Sequence, residues 1–142
     1  MLSLVVPIYK SEANLPPLFR ELEEFADRLP DTLEVVFVVD GSPDASLDIL
    51  QSHLATWTLN AQLVELSRNF GSFAAIAAGL REANGEYLAV AAADLQEPLD
   101  LIAARDQAID HRSTVARPTK GADSSKPKGP TSGRSGRRSR WP

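Results

Sequence analysis

A chain of 142 residues is long enough to bury one modest core, and its hydrophobic content of 43% is ordinary for a globular domain. The absence of cysteine excludes disulfides, thiolate chemistry and cysteine-ligated zinc. The net charge of −4 is unevenly divided: residues 1–103 carry 16 acidic and five basic side chains, whereas residues 104–142 carry three acidic and ten basic ones. The two segments therefore differ in kind.

Apolar runs alternate with amphipathic segments through residues 1–103. The apolar, β-branched runs predict four strands, at residues 2–8, 33–39, 61–66 and 87–93. The segments between them have the spacing of amphipathic helices, at residues 15–29, 44–54 and 69–83. Strands that alternate with helices predict an α/β fold with a parallel sheet and helices on both faces.

The third predicted helix is rich in alanine and contains Gly79, which favours close packing on the sheet. Its larger apolar residues recur at helical spacing, and we expect them to face the core. These residues are Phe73, Ile76, Ala77 and Leu80.

Polar or charged residues follow each predicted strand at its carboxyl end, where open α/β sheets bind ligands. Asp94 follows the fourth apolar run, with Gln96 beside it, and a carboxylate there is placed to hold a metal on a phosphorylated ligand. Arg68 precedes a helix, which suits a phosphate site.

The residues alone leave a structural alternative open at each of these positions. Asp94 would cap the next helix, and Asp40 would make an Asx-turn with Gly41 and Ser42. Arg68 would pair with a surface acid, and Tyr9 would be a half-buried core aromatic.

Four blocks in order carry a family resemblance over residues 2–103. They are Val5-Val6-Pro7-Ile8-Tyr9, Val38-Val39-Asp40-Gly41-Ser42-Pro43-Asp44, Leu66-Ser67-Arg68-Asn69-Phe70-Gly71 and Ala93-Asp94-Leu95-Gln96-Glu97-Pro98. Together they resemble the family 2 glycosyltransferases, and within them the dolichyl-phosphate mannose synthase-like, polyprenyl-phosphate branch. The resemblance implies that residues 1–103 form the nucleotide-binding half of a GT-A fold, with strand order 3-2-1-4.

The resemblance further implies transfer of a sugar, by inverting displacement, from a UDP- or GDP-linked donor to a polyprenyl phosphate or another cell-envelope acceptor. It implies Mg²⁺ or Mn²⁺ held by Asp94 and Gln96, and a site at the cytoplasmic face of the membrane. It indicates no catalytic residue. The implied nucleotide-sugar contacts are Pro7, Tyr9, Glu12, Asp40, Ser42, Arg68, Ala93 and Asp94.

The chain departs from the family pattern at three places. Lys10 and Ser11 stand where an Asn-Glu pair is usual, with Glu12 one position later. A single acid, Asp40, replaces two successive acids, and Ala92 replaces the first acid of the Asp-x-Asp metal loop. These departures weaken the predicted glutamate contact and the metal site.

Residues 104–142 form a basic, low-complexity tail. From Ser113 onward the composition predicts disorder, and it also fits an out-of-frame extension. Since no acceptor half is recognisable, we expect a truncated enzyme with poor turnover, and membrane contact only through a missing C-terminal part.

Two other functions stay open. One is a non-catalytic nucleotide-sugar-binding fragment. The other is a tail that binds nucleic acid or anionic lipid through its arginines, although we expect no nucleic-acid partner. A dinucleotide-dependent dehydrogenase is disfavoured, because no G-x-G-x-x-G follows the first strand.

Overall fold

A computed structural model describes residues 1–107 of the chain. The predicted disorder of residues 113–142 lies outside this range. Among the described residues, no helix has the length and apolar character needed to cross a membrane. The elements, in order, are β1 (Leu2–Ile8), α1 (Leu15–Arg28), β2 (Leu33–Asp40), α2 (Ser46–Leu54), β3 (Asn60–Leu66), α3 (Ser72–Glu82), β4 (Tyr87–Val90) and α4 (Asp100–Gln107).

The four strands form one parallel sheet in the order β3-β2-β1-β4. This confirms the predicted α/β class and the predicted strand order. The central strand β2 is buried along its whole length, because strands flank it on both sides and helices cover both faces. All four carboxyl ends lie at the same edge, so the loops that follow the strands meet there.

One face of the sheet is covered by α1 and α2, with the start of α4 beside them. The apolar stripe of α1 is fully inward, as its spacing predicts, and prolines occupy its first turn where no amide partner is lost. Arg28 of α1 and Asp100 of α4 form an ion pair at 2.8 Å. This face holds the larger of the two hydrophobic clusters.

The other face is covered by α3, and here the predicted orientation is wrong. Ala75 and Gly79 face the sheet. Of the four residues predicted to face the core, Phe73 is 89% exposed, Ala77 and Leu80 are also exposed, and Ile76 is half-buried. A Cβ on Gly79 would lie 2.4 Å from Val5 Cγ1. The helix approaches the sheet too closely for large side chains, so its stripe of small residues turns inward.

The strand β4 ends at Val90, three residues earlier than predicted. One further ladder bond, from the Ala91 N–H to the Val5 carbonyl, continues the pairing. In a parallel ladder, the N–H groups of alternate β1 residues point toward β4. The next bond would need the N–H of Pro7, and proline has none. The segment that follows therefore leaves the sheet, and Asp94 lies in a turn beyond the strand.

A buried carboxylate joins the strands at the opposite edge of the sheet. Glu34 of β2 accepts hydrogen bonds from the Ser3 hydroxyl, from Gln62 Nε2 at 2.7 Å, and from the Asn84 backbone N–H at 2.9 Å. The Ser3 hydroxyl oxygen in turn accepts the Gly85 N–H at 2.7 Å. Burial acts to raise the pKa of Glu34, but these hydrogen bonds outweigh it and lower the pKa below the ordinary value.

Candidate functional site

A cleft of about 320 Å³ opens at the carboxyl edge of the sheet. It lies between the loops that follow β1, β2 and β4 and the loop that precedes α3. Its lining is mostly polar or small, and five of the predicted contact residues contribute to it. These are Pro7, Tyr9, Asp40, Ala93 and Asp94. The structure thus brings together residues that are distant in sequence.

Tyr9 stands at the mouth of this cleft and is 44% exposed, so it is not a core aromatic. The Lys10 Nζ lies 5.4 Å from the centre of the Tyr9 ring. Lys10 has a positive φ of 49°, which is uncommon for a residue with a side chain. Its N–H donates to the Ser42 hydroxyl at 2.8 Å, and this bond holds the turn in place.

Glu12 and Ser42 do not line the cleft; they bind the loop after β1 to the loop after β2. A Glu12 carboxylate oxygen accepts the Ala45 N–H at 2.9 Å, and the Glu12 N–H donates to Asp44 at 3.2 Å. The Ser11 N–H donates to the Ser46 hydroxyl at 3.1 Å. These reciprocal bonds hold the two loops together in one fixed arrangement.

Asp44 is the common acceptor of this loop pair. Burial acts to raise its pKa, but hydrogen bonds from Ser42, from Ser46 and from the Glu12 N–H lower the pKa to about 2. The carboxylate is therefore ionised at neutral pH, where it is fully available as an acceptor.

Asp40 is 3% exposed, although it borders the cleft. Its two oxygens accept the Phe70 N–H at 2.8 Å and the Gly71 N–H at 3.0 Å. Within the described part of the chain, no bond from the Gly41–Ser42 turn to this carboxylate is present, so the Asx-turn alternative is not adopted.

Arg68 lies beside the cleft rather than in its lining. Its guanidinium carbon is 4.2 Å from the centre of the Phe70 ring, a cation–π arrangement. None of the ion pairs among the described residues involves Arg68, so the surface-pair alternative is not adopted there. The guanidinium remains exposed next to the start of α3.

Asp94 is exposed at the cleft, and one of its oxygens accepts the Gln96 N–H at 3.3 Å. The next residue, Leu95, has a positive φ of 55°. Among the side chains that the structure describes, those of residues 1–103, there is no group of three acidic or histidine side chains that would enclose a metal. A single exposed carboxylate nevertheless fits Mg²⁺ or Mn²⁺. Such an ion is held by one or two protein carboxylates, and water and substrate phosphate oxygens complete its coordination. Gln96 is exposed and outside the cleft lining.

Sequence reasoning missed several residues of the lining, among them Asn14, Asn69 and Ser72. Each lies in a loop or at a helix start, close to a predicted site residue. Position in the segment that follows a strand was therefore the sequence signal that could have found them. A larger, shallower depression of about 630 Å³ lies between α1 and α2 around Phe19 and His53. It contains none of the predicted site residues.

A parallel sheet with helices on both faces and a polar cleft at its carboxyl edge places the chain among the α/β proteins that bind a ligand at that edge. The sequence profile of the family "Glycosyl transferase family 2" matches residues 3–134, and the chain belongs to this family. The match runs past residue 103, so the domain boundary placed there stays a prediction.

Curated relatives are similar over the same region. An uncharacterized glycosyltransferase, YkcC of Bacillus subtilis (strain 168), is 39% identical over 100 residues, which are 70% of this chain and 31% of the relative. The undecaprenyl-phosphate 4-deoxy-4-formamido-L-arabinose transferase of Aeromonas hydrophila is 35% identical over 121 residues, 82% of this chain and 37% of the relative. The chain thus spans about a third of the length of these relatives.

Solved structures share the fold, which is the GT-A fold. Residues 1–349 of S. aureus TarS in complex with UDP-GlcNAc superpose with a TM-score of 0.61 and 28% identity, over 74% of this chain and 30% of that one. The mannosyltransferase PcManGT from Pyrobaculum calidifontis, in complex with GDP-Man and Mn²⁺, superposes with a TM-score of 0.66 and 26% identity, over 78% of this chain and 32% of that one.

Proposed function

We propose that this chain is the nucleotide-sugar-binding half of a glycosyltransferase that moves a sugar from a UDP- or GDP-linked donor to a polyprenyl phosphate. The observation that carries the proposal is the cleft that unites Tyr9, Asp40 and Asp94 at the carboxyl edge of the sheet. The names of the relatives and the nucleotide sugars of the neighbouring structures support it. We place the reaction at the cytoplasmic face of the membrane, by resemblance.

Each side chain has a role in this proposal. Tyr9, with Pro7 and Ala93 beside it, packs against the nucleotide. Lys10 and Arg68 supply positive charge for the diphosphate, near the amide groups at the start of α3. Glu12 and Ser42 contribute by holding the loops that shape the cleft.

The leaving diphosphate is the main chemical demand of the reaction. Asp94, helped by Gln96, would hold Mg²⁺ or Mn²⁺, and the ion would neutralise the charge on the departing diphosphate. A phosphate acceptor is already nucleophilic when ionised, so a general base is not required. None of the described cleft residues is assigned to the acceptor.

Calorimetry with UDP and GDP, each with and without Mn²⁺, tests the ligand and the metal together. We expect Mn²⁺ to strengthen nucleotide binding in the wild type and to have no such effect in Asp94→Asn. Glu97→Gln is the matched control, since it removes a neighbouring exposed carboxylate outside the cleft lining. Equal metal dependence in wild type and Asp94→Asn would contradict the metal role.

A non-catalytic nucleotide-sugar-binding fragment is the second candidate. It is favoured by the described cleft, whose residues are assigned to the nucleotide, to the metal or to the surrounding loops, and none of them to the acceptor. Transfer of labelled sugar to a polyprenyl phosphate distinguishes the two. Turnover supports the enzyme, and nucleotide binding without turnover supports the fragment.

A further inference from the structure

Asp40 stands at the carboxyl end of β2, and its carboxylate binds the loop that precedes α3. It accepts hydrogen bonds from two consecutive backbone N–H groups, those of Phe70 and Gly71. Hydrogen bonds to an ionised acceptor are about twice as strong as neutral ones, so this contact holds the loop firmly. With 3% of the residue exposed, little of the carboxylate is left for a ligand.

The residue after Asp40 touches the same loop. Gly41 has a φ of +60°, and a Cβ on it would lie 2.3 Å from the Asn69 nitrogen and 2.4 Å from the Arg68 carbonyl carbon. Only glycine permits this approach, because any side chain would collide with the Arg68–Asn69 peptide. The end of β2 therefore fixes residues 68–71 through both hydrogen bonds and close contact.

Residues 68–71 connect this contact to the proposed ligand. Asn69 and Gly71 line the cleft, and the Gly71 carbonyl accepts the Ala75 N–H at 3.1 Å, which begins α3. Phe70, whose N–H is held by Asp40, supports the Arg68 guanidinium on its ring. Movement of this loop would displace the cation and the helix start together.

We propose that Asp40 is a positioning residue for nucleotide binding. Its carboxylate holds residues 68–71 in the shape that the ligand requires, and it acts on the ligand through that loop instead of contacting the base or the ribose. The inference rests on the proposed function, because it takes a nucleoside diphosphate as the ligand.

The test is Asp40→Asn, which keeps the side-chain shape but turns an NH₂ group toward a backbone N–H. With Mn²⁺ present, we expect the Kd values of UDP, GDP, 2′-deoxy-UDP and 3′-deoxy-UDP to rise by one common factor. That factor is about tenfold, as for loss of one hydrogen bond to a charged group. Amide hydrogen exchange measured by NMR should become faster at Phe70 and Gly71.

Two further variants keep the result interpretable. Glu34→Gln removes a buried carboxylate from the amino end of the same strand, and it should leave the Kd values and the Phe70 and Gly71 exchange rates unchanged. Phe70→Ala alters an exposed ring, so it should fold, and it removes the support of Arg68 while Asp40 stays intact. We expect this variant to raise the Kd values of all four ligands by a common factor.

A changed ratio of UDP to GDP affinity in Asp40→Asn would show contact with the base, and a changed ratio of UDP to a deoxy analogue would show contact with the ribose. Either ratio change, or unchanged affinity for all four ligands, overturns the positioning role and leaves the proposed function standing. Failure of the wild type to bind any of them overturns the proposed function, and this inference with it.

Discussion

Two buried carboxylates, Glu34 and Asp40, lie at opposite ends of β2, and each accepts hydrogen bonds from elements outside its own strand. Glu34 joins three strands and the turn before β4 at the amino edge. Asp40 joins β2 to the start of α3 at the carboxyl edge. Burying a charge is costly unless hydrogen bonds compensate for the lost water, and both sites meet that condition.

We expect Glu34→Gln to destabilise the fold by about 2–3 kcal/mol, because its NH₂ group would face donors where an ionised acceptor now stands. Urea unfolding followed by fluorescence measures the change. Glu65→Gln on the neighbouring strand β3 is the control, since Glu65 is exposed and its loss should cost little. Equal stability of the two variants would contradict the structural role of Glu34.

Unlike α1 and α2, which each bury at least one leucine, α3 fully buries only small residues. Ala75 and Gly79 allow the helix to lie close against Val5 and Val38. The consequence is that the larger residues Phe73 and Leu80 lie on the outer surface. A substitution on the inner face of this helix should therefore cost much more stability than one on its outer face.

Gly79→Ala should destabilise the protein, although alanine is favoured over glycine in a helix by about 1 kcal/mol. The new methyl group would lie 2.4 Å from Val5 Cγ1 and 2.9 Å from Val38 Cγ2, and overpacking of this kind costs about 1–3 kcal/mol. In thermal unfolding, the double variant Val5→Ala with Gly79→Ala should lose less stability than the sum of the losses of the two single variants, because the smaller side chain at position 5 leaves room for the new methyl group. Simple additivity of the two single effects would argue against a direct collision.

Phe73→Ser should change the free energy of unfolding by no more than about 0.5 kcal/mol, because the ring is 89% exposed. If Phe73 instead faced the core, as its helical spacing suggested, truncation would cost about 3–5 kcal/mol. Chemical denaturation distinguishes these values clearly. Phe25→Ser supplies the reference for a fully buried ring, and we expect a large loss there.

On the scale of the whole molecule, the carboxyl edge of the sheet is held by contacts between loops. The loop after β1 binds the loop after β2 through Glu12 and Asp44, and the end of β2 binds the start of α3 through Asp40. The cleft is therefore shaped before any ligand arrives, which lowers the entropy cost of binding. Much of this network depends on ionised carboxylates.

Acid should therefore weaken the fold through Asp44 and Glu34. Both have a lowered pKa in the folded state, so their contribution is complete above the ordinary values of 3.8 and 4.5. This contribution to stability is lost as the pH falls through the pKa values of the folded state, and for Asp44 that pKa is about 2. Between neutral pH and pH 2, the unfolding free energy of Asp44→Asn should therefore fall by roughly 1 kcal/mol less than that of the wild type, allowing for solvent screening.

Urea unfolding at a series of pH values measures this slope. Asp48→Asn is a suitable control, because Asp48 is an exposed acid in the first turn of α2. The linkage to Asp44 would be contradicted if Asp44→Asn and wild type lost stability in parallel.

The sequence by itself determined the α/β class, and the family resemblance that it carries implied the strand order. Five of the twelve residues that line the cleft were among the predicted contacts. Apolar runs mark strands buried on both faces, and the residues that follow such runs must meet at one edge, which is why Tyr9, Asp40 and Asp94 were found. The four short blocks added the family, which the profile match shows.

Only the tertiary structure decided which stripe of α3 turns inward, where β4 ends and what Asp40 binds. Helical periodicity is satisfied equally by the stripe with Phe73 and by the stripe with Gly79, and the distance to Val5 selects the second. Pairing of β4 stops at Pro7, a residue of another strand that lacks the needed N–H. The partners of Asp40 are amides about thirty residues away, and local spacing carries no information on which distant N–H groups will meet a carboxylate.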